Sequence, residues 1–183
     1  MSISNNRLVK ISKFLCKYLR HSPQDIGIEL MPGGWVNIDT LLEATANFNF
    51  PITLDELTQV VAKDDKQRFS IKDNLIRANQ GHSVNVDLQL QPSKPPDVLY
   101  HGTATRFLDS IMQTGLSKQK RHHVHLTDNV DTARQVGSRY GEPVVLLIDS
   151  EKMWQTGFTF YQSDNGVWLV DNVPVEYIYY ACL

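Results

Sequence analysis

An adjacent arginine and histidine form the first candidate for binding phosphate. Arg20 and His21 stand side by side ahead of Ser22 and Pro23. An arginine offers a fixed fork of N–H donors, and a histidine offers a donor that titrates near neutrality. The two together suit a phosphate dianion.

A series of basic residues precedes this pair along the same predicted helix. Steps of three or four residues place them on one helical face, and no acidic residue occurs before Asp25. Such a stripe is either a solvated face opposite the core or a surface that contacts RNA phosphates, and both interpretations stay open here. The residues concerned are Arg7, Lys10, Lys13, Lys17 and Arg20.

Three histidines lie in a second basic stretch, KQKRHHVHLT, at positions His122, His123 and His125. A His-x-His pair on a strand directs both rings to one face, so a zinc site is conceivable. No cysteine or carboxylate completes a ligand set at the usual spacing, and we therefore expect no metal. Alternation along the strand predicts that His123 and His125 face one way, while Val124 and Leu126 face the core.

His101 follows the apolar run 98–100 and precedes Gly102 and Thr103. A single histidine at the end of a strand has a structural role more often than a functional one. A His-Gly-Thr turn would, however, expose backbone amides and a hydroxyl, which could bind a ribose or a carboxamide. The spacing alone does not decide between the two.

The elements that must position these residues fall into two groups. In the first, apolar residues at helical spacing predict a helix from Asn5 to Leu19, which Pro23 prevents from extending far. A short extended segment follows, then a helix capped by Asp39, a helix that begins with the capping box Thr53–Glu56, and a hairpin. Helices followed by a hairpin are typical of a winged-helix lobe.

The second group mixes short strands with helices. Strands are predicted in VLYHGT, HVHLT, PVVLLID, FTFYQS, GVWLV and VEYIYY, and helices in FLDSIMQTGL and across 130–138. A proline-rich stretch, Gln89–Asp97, separates the groups and is typical of an extended linker. We therefore predict an α+β protein with lobes at 1–92 and 93–183.

The overall composition limits the possible functions. The chain has 183 residues and a formal net charge of −2, so nucleic acid would have to bind at a local basic patch. Its two cysteines, Cys16 and Cys182, lie far apart in the sequence, which is typical of a reduced intracellular protein. Neither a signal peptide nor an apolar run of membrane-spanning length is recognisable. We expect a cytoplasmic protein with no membrane partner.

Five motifs, taken in order, resemble those of the RNA 2′-phosphotransferase family, the TPT/KptA group. They are LRHSP, GGWV, KQRFSI with IRANQGHS, LYHGT, and GLSKQKRHHVHLT, and the resemblance extends from about Leu8 to Ile178. It implies an N-terminal winged-helix lobe that binds RNA and a C-terminal lobe of the ADP-ribosyltransferase type that binds NAD.

The resemblance also implies a two-step reaction that needs no metal. The RNA 2′-phosphate attacks the anomeric carbon of the NAD ribose and expels nicotinamide, which gives an RNA-2′-phospho-ADP-ribose intermediate. The ribose 2″-hydroxyl then attacks the phosphorus and releases RNA with a free 2′-hydroxyl and ADP-ribose 1″,2″-cyclic phosphate. The family is known for the last step of tRNA splicing, so the implied partner is a tRNA-like RNA that carries a 2′-phosphate.

The family's catalytic group of one histidine and three arginines matches four positions of this chain. Arg20, His21 and Arg68 would hold the 2′-phosphate. Arg121 would lie at the NAD ribose and assist the second step. Fixed cations suit the transfer of a dianionic phosphate without a metal, because they spread the charge of the transition state.

Further residues are assigned to NAD through the same resemblance. Many protein ADP-ribosyltransferases carry a catalytic glutamate on a later strand, whereas the comparable stretch 165–169 holds no acid, which argues against modification of proteins. Gln80–Ser83 also matches a family motif, but its role is not evident. The residues assigned to NAD are His101, Gly102, Thr103, His123 and His125.

Three other functions compete with this interpretation. The first is an ADP-ribosyltransferase that caps terminal phosphates of RNA or DNA. The second is a non-catalytic RNA-binding protein, which the complete set of arginines and histidine disfavours. The third is a winged-helix DNA regulator, which the near-neutral charge makes the weakest candidate. For the phosphotransferase we expect a monomer.

Overall fold

The structure, a computed structural model, describes residues 3–181. The chain folds into two compact units, Met1–Gln89 and Leu90–Leu183. Both mix helices with small antiparallel sheets, which confirms the mixed α and β class predicted from the sequence. The lobe boundary predicted at residue 92 remains a prediction, and Cys182 lies outside the described residues.

The first unit combines three helices with a three-stranded antiparallel sheet in the order β1-β3-β2. Short 3₁₀ turns at Pro23–Ile26 and Pro32–Gly34 connect α1 to β1. The elements are α1 (Asn5–Arg20), β1 (Trp35–Asn37), α2 (Ile38–Asn47), α3 (Leu54–Ala62), β2 (Phe69–Lys72) and β3 (Leu75–Ala78).

Helix α1 forms where the apolar periodicity predicts it. The Ser4 side chain caps its first turn by accepting a hydrogen bond from the Arg7 N–H group, at 3.3 Å. Its buried face, which includes Ile11, Leu15 and Leu19, contributes to the core of the first unit. The helix ends at Arg20, so the next residue along the chain lies at its C-terminal cap.

Helices α2 and α3 both begin at side-chain caps. The Asp39 cap predicted for α2 is wrong, because Asn37 at the end of β1 accepts the hydrogen bond of the Thr40 N–H group and Asp39 lies in the first turn. The capping box predicted for α3 is confirmed, with Thr53 and Glu56 satisfying each other's backbone N–H groups.

The second unit holds three small antiparallel sheets, in the orders β11-β7-β4, β6-β9-β8 and β10-β5. Its core is a separate cluster of buried apolar side chains. The elements are β4 (Val98–Ala104), α4 (Leu108–Thr114), β5 (Leu116–Ser117), β6 (Val124–Leu126), α5 (Val130–Gly137), β7 (Pro143–Asp149), α6 (Ser150–Gln155), β8 (Phe160–Gln162), β9 (Trp168–Val170), β10 (Asn172–Val173) and β11 (Ile178–Tyr180).

Several elements of the second unit differ from the prediction. Helix α6 was not predicted, although Asp149 caps it by accepting from the Lys152 N–H group at 3.0 Å. The VEYIYY stretch is only partly a strand, since Val175–Tyr177 forms a 3₁₀ turn before β11. The predicted linker Gln89–Asp97 contacts the second unit, because the Ser93 N–H group donates to Phe160 O at 2.9 Å.

Helix α5 packs against β4 at unusually close range. A Cβ atom added to Gly102 would overlap the carbonyl oxygen of Ala133, and one added to Gly137 would overlap Thr103 O. Glycine at both positions therefore lets the two backbones touch. This contact fixes the face of β4 that lies against the helix.

Candidate active site

Arg20 and His21 lie together at the C-terminal end of α1. The His21 N–H group caps the helix by donating to Lys17 O at 2.9 Å. Beyond it the chain leaves the helix through the Pro23–Ile26 turn. The end of a regular helix, and not a loop, thus fixes the positions of these two residues.

The segment 79–84 returns to this helix end, which gives the Gln80–Ser83 motif a structural role. The Ser83 N–H group donates to Arg20 O at 2.9 Å. The Ser83 hydroxyl also lies 2.9 Å from Nδ1 of His21, within hydrogen-bonding distance. Gly81 faces the Arg20 guanidinium, and a Cβ atom added there would lie 3.5 Å from Nη1.

The same segment is anchored at its other end beside Arg68. The Asn79 N–H group donates to Arg68 O at 2.9 Å, and Asn79 Nδ2 donates to Gln67 O at 2.7 Å. Segment 79–84 therefore links the backbone of Arg68 to the helix end that carries Arg20 and His21. These three predicted catalytic residues are brought together within the first unit.

Cys16 lies near the charged side chains of both Arg20 and Arg68. Burial raises the pKa of its thiol, whereas the nearby positive charges of Arg20 and Arg68 act in the opposite direction. Cys16 precedes Arg20 by one turn of α1. Both guanidinium groups thus lie near this end of the helix, with the Asp64 carboxylate beside Arg68, and fixed donors of this kind stabilise an anion.

Only part of the basic face of α1 stays available for nucleic acid. Arg7 Nε forms an ion pair with Glu56 at 2.9 Å, and this contact lowers the pKa of the Glu56 carboxyl. Lys17 Nζ lies 3.1 Å from the Tyr18 hydroxyl. Lys10 and Lys13 are exposed. The solvated interpretation therefore fits Arg7 poorly, since this side chain serves as a link to α3.

In the second unit, a chain of contacts connects Arg121, His125 and His101. Arg121 Nη1 lies 2.9 Å from Nδ1 of His125. Because arginine only donates, this nitrogen of His125 accepts and its ring proton lies on Nε2. His101 Nδ1 donates to the backbone carbonyl of His125 at 3.0 Å. The predicted ribose-site arginine thus lies beside two of the predicted NAD residues.

The predicted His-Gly-Thr turn is wrong, because all three residues belong to strand β4. His101, Gly102 and Thr103 pair with Leu146, Val145 and Val144 of β7. The misleading signal was Gly102, whose lack of a side chain serves the close contact with α5 and not a change of chain direction. Thr103 is buried.

Strand β4 nevertheless offers backbone groups to a ligand along its outer edge. The Tyr100 N–H group donates to Thr127 O at 2.7 Å, and the Thr127 N–H group donates to Tyr100 O at 3.0 Å. Alternate residues of an antiparallel strand direct their backbone groups to opposite edges. Gly102, two residues after Tyr100, therefore directs its N–H and C=O groups to the same outer edge, away from β7.

His123 lies apart from the contacts that join the other predicted NAD residues. Its ring centroid is 5.5 Å from that of Tyr161, and both help to line a cavity of about 370 Å³ with Phe158 and Asp171. Burial lowers the pKa of His123. The predicted alternation of β6 is confirmed, because Val124 and Leu126 are buried while His123 and His125 are partly exposed.

Burial also lowers the pKa of His101, so the neutral ring is favoured in the folded protein. Below the unfolded-state pKa of 6.5, the His101 ring binds a proton in the unfolded chain before it does so in the folded protein. The free energy of unfolding therefore decreases as the pH falls towards the folded-state pKa. We expect this loss to be smaller in His101→Gln. Urea unfolding at about pH 7.5 and about pH 5.5 measures it, and parallel pH dependences in the two proteins would contradict the expectation.

Asp64 is one residue near the site that the sequence analysis did not single out. It is an ion-pair partner of Arg68.

Within the part of the chain that the structure describes, no group of three or more His, Cys, Asp or Glu side chains is placed to hold a metal ion. Nor does any helix between residues 3 and 181 have the length and apolarity needed to cross a membrane.

Comparison with known proteins identifies the family of this chain. The model of the RNA 2′-phosphotransferase, Tpt1/KptA family matches residues 6–172. The chain belongs to this family. The Tpt1/KptA proteins are transferases, and the match spans both units of the chain.

Curated relatives agree with the family match over nearly their whole length. A probable RNA 2′-phosphotransferase of Nostoc punctiforme is 60% identical over 178 residues, which cover 96% of this chain and 98% of the relative. A protein of the same description from Pseudomonas fluorescens is 52% identical and covers 91% and 93% of the two chains. One from Streptomyces coelicolor is 48% identical and covers 96% and 97%.

Proposed function

We propose that this protein is an NAD-dependent RNA 2′-phosphotransferase that removes an internal 2′-phosphate from RNA. The observation that carries the proposal is the grouping of Arg20, His21 and Arg68 by segment 79–84. Two guanidinium groups and an imidazole can neutralise and orient a phosphate dianion without a metal ion. The family membership of the chain supports the same activity.

NAD is the proposed co-substrate, and strand β4 supports its binding. A carboxamide presents an N–H donor beside its C=O acceptor, and the two complement the N–H and C=O groups that Gly102 directs to the outer edge. We assign the nicotinamide carboxamide to this edge, with His101, Thr103 and His125 around it. His123, which directly precedes β6, belongs to the same binding region in the proposal.

The finer fold assignment is also part of the proposal. The first unit is a winged-helix lobe that binds RNA, supported by its order of helix, strand, two helices and a hairpin in a three-stranded sheet. The second is a lobe of the ADP-ribosyltransferase type, supported by its small antiparallel sheets and by the histidine on β4. We further infer that the enzyme acts as a cytoplasmic monomer.

The side chains have distinct tasks in the proposed reaction. NAD supplies an anomeric carbon that carries nicotinamide as the leaving group. Arg20, His21 and Arg68 hold and orient the 2′-phosphate oxygens that form the new bond. Arg121 stabilises charge when the ribose 2″-hydroxyl displaces RNA from phosphorus. His125 restricts the Arg121 guanidinium through the contact between Nδ1 and Nη1.

Mass spectrometry of the products tests the activity directly. RNA with an internal 2′-phosphate, incubated with NAD and the protein, is expected to yield dephosphorylated RNA, ADP-ribose 1″,2″-cyclic phosphate and nicotinamide. Parallel reactions contain the same RNA without the 2′-phosphate, or with a 5′-phosphate only. Transfer of ADP-ribose to the 5′-phosphate alone would replace the proposal with the alternative of a terminal-phosphate capping enzyme.

Arg121→Ala is expected to slow the second step more than the first, because this arginine is assigned to the charge that develops during phosphoryl transfer. RNA carrying ADP-ribose on its 2′-phosphate should then accumulate, whereas it stays transient in the wild-type protein. Gel or mass analysis of a time course measures it. A variant that only binds NAD more weakly, without accumulation, contradicts the assignment. Arg134→Ala, an exposed arginine on α5, serves as the control.

A further inference from the structure

Asp64 contacts the turn that leads to Arg68 at several points. It lies two residues after the end of α3, and its side chain is only 5% exposed. Its carboxylate accepts a hydrogen bond from the Arg68 N–H group at 2.6 Å and another from the Lys66 N–H group at 3.3 Å. It also forms an ion pair with Arg68 Nη1.

The turn between these two residues has little freedom of its own. The Gln67 N–H group donates to Asp64 O at 2.7 Å, and Gln67 adopts a positive φ of 44°. Asn79 holds the far side by bonding to Gln67 O and Arg68 O. The backbone at Arg68 is thus fixed from both sides, which leaves the direction of the side chain to be set by the carboxylate.

The ion pair determines which edge of the guanidinium remains for a ligand. A guanidinium is planar and carries five N–H donors, so a carboxylate at Nη1 leaves the edge formed by Nε and Nη2. That edge presents two parallel N–H groups, the geometry that binds phosphate oxygens in a bidentate manner. A carboxylate that is nearly buried needs partners such as the Arg68 guanidinium, because they compensate for lost solvation.

We propose that Asp64 is a positioning residue, which orients Arg68 so that its Nε–Nη2 edge receives the 2′-phosphate of RNA. This inference rests on the proposed function, because Arg68 is the group that would touch the phosphate. Asp64 itself acts only through Arg68. Its negative charge is tolerated beside a dianion because the phosphate meets the guanidinium from the opposite edge.

Binding measurements without NAD test this role separately from turnover. The probes are two short RNAs of the same sequence, one with an internal 2′-phosphate and one without. Asp64→Asn is expected to weaken binding of the phosphorylated RNA by about tenfold and to leave binding of the other unchanged. Asp65→Asn, the same change at the neighbouring exposed carboxylate, should alter neither.

A second comparison asks whether Asp64 acts through Arg68. In an Arg68→Lys protein, which lacks the planar fork, adding Asp64→Asn should cause little further loss. Equal loss with both RNAs, or the same loss in both backgrounds, shows a merely structural role and overturns the proposal. So does an unchanged affinity of Asp64→Asn.

A fallback variant and a wild-type control complete the test. Should Asp64→Asn fail to fold, Asp64→Glu replaces it, with a smaller phosphate-specific loss expected because the charge is kept but displaced by one methylene. Unchanged phosphate-dependent binding in Asp64→Glu then overturns the proposal. If the wild-type protein does not distinguish the two RNAs, the proposed function fails as well, and that result is separate from a failure confined to Asp64.

Discussion

Removal of a 2′-phosphate from RNA is expected to fall at least roughly 1000-fold when Arg68 or His21 is replaced by alanine. Both side chains are assigned to the phosphate in its ground state and in the transition state. With no metal ion proposed at the site, each substitution leaves the developing negative charge without one of its few fixed donors. Turnover of 2′-phosphorylated RNA with NAD, followed under conditions that saturate the wild-type protein, measures the effect.

The controls for this experiment separate chemistry from stability. Arg139→Ala removes an exposed arginine from the second unit and should leave turnover near the wild-type rate. Thermal unfolding of each variant tests whether the first unit remains folded. We expect that it does, since His21 is exposed and Arg68 is only partly buried. Near-normal turnover in both Arg68→Ala and His21→Ala would show that the phosphate site has been assigned to the wrong residues.

Gly102→Ala is expected to destabilise the second unit by at least about 3 kcal/mol. The added methyl group on β4 would overlap the carbonyl oxygen of Ala133 on α5. The backbones of β4 and α5 are both hydrogen-bonded within regular elements. Relief therefore requires α5 to move away from β4 as a whole. Chemical denaturation of the purified variant, monitored by tryptophan fluorescence, measures the loss.

A matched glycine isolates the steric cause of this effect. Gly166 has a positive φ of 76°, and a Cβ atom added there would meet nothing within 4 Å. Gly166→Ala therefore carries only the backbone penalty, about 1 kcal/mol. If Gly102→Ala is no more destabilising than Gly166→Ala, the close contact between α5 and β4 does not have the energetic importance assigned to it.

The sequence predicted features that depend on local signals. Helix α1 was predicted to within one residue of its end, because its apolar spacing and Pro23 act over a few residues. The α3 capping box is local in the same sense. The pairing of Arg20 with His21 needed no more than their adjacency at a helix end.

Features that depend on distant parts of the chain were missed. Gly102 was taken as a sign of a turn, since nothing near it in the sequence shows that α5 lies against it. Asp64 lies in the run Asp-Asp-Lys, which is typical of a solvated surface turn, and nothing in that run shows that its side chain is only 5% exposed. The role of Gln80–Ser83 became evident only from contacts with α1.

The contact between His21 and Ser83 has a consequence for how the first unit assembles. It joins residues 62 positions apart, so bringing them together costs loop-closure entropy that neighbouring elements must first offset. Interactions that form after the folding transition state act mainly on the rate of unfolding. A phosphate-bearing ligand that binds only where both segments are already in place would therefore prolong the lifetime of the folded first unit and leave its rate of folding nearly unchanged.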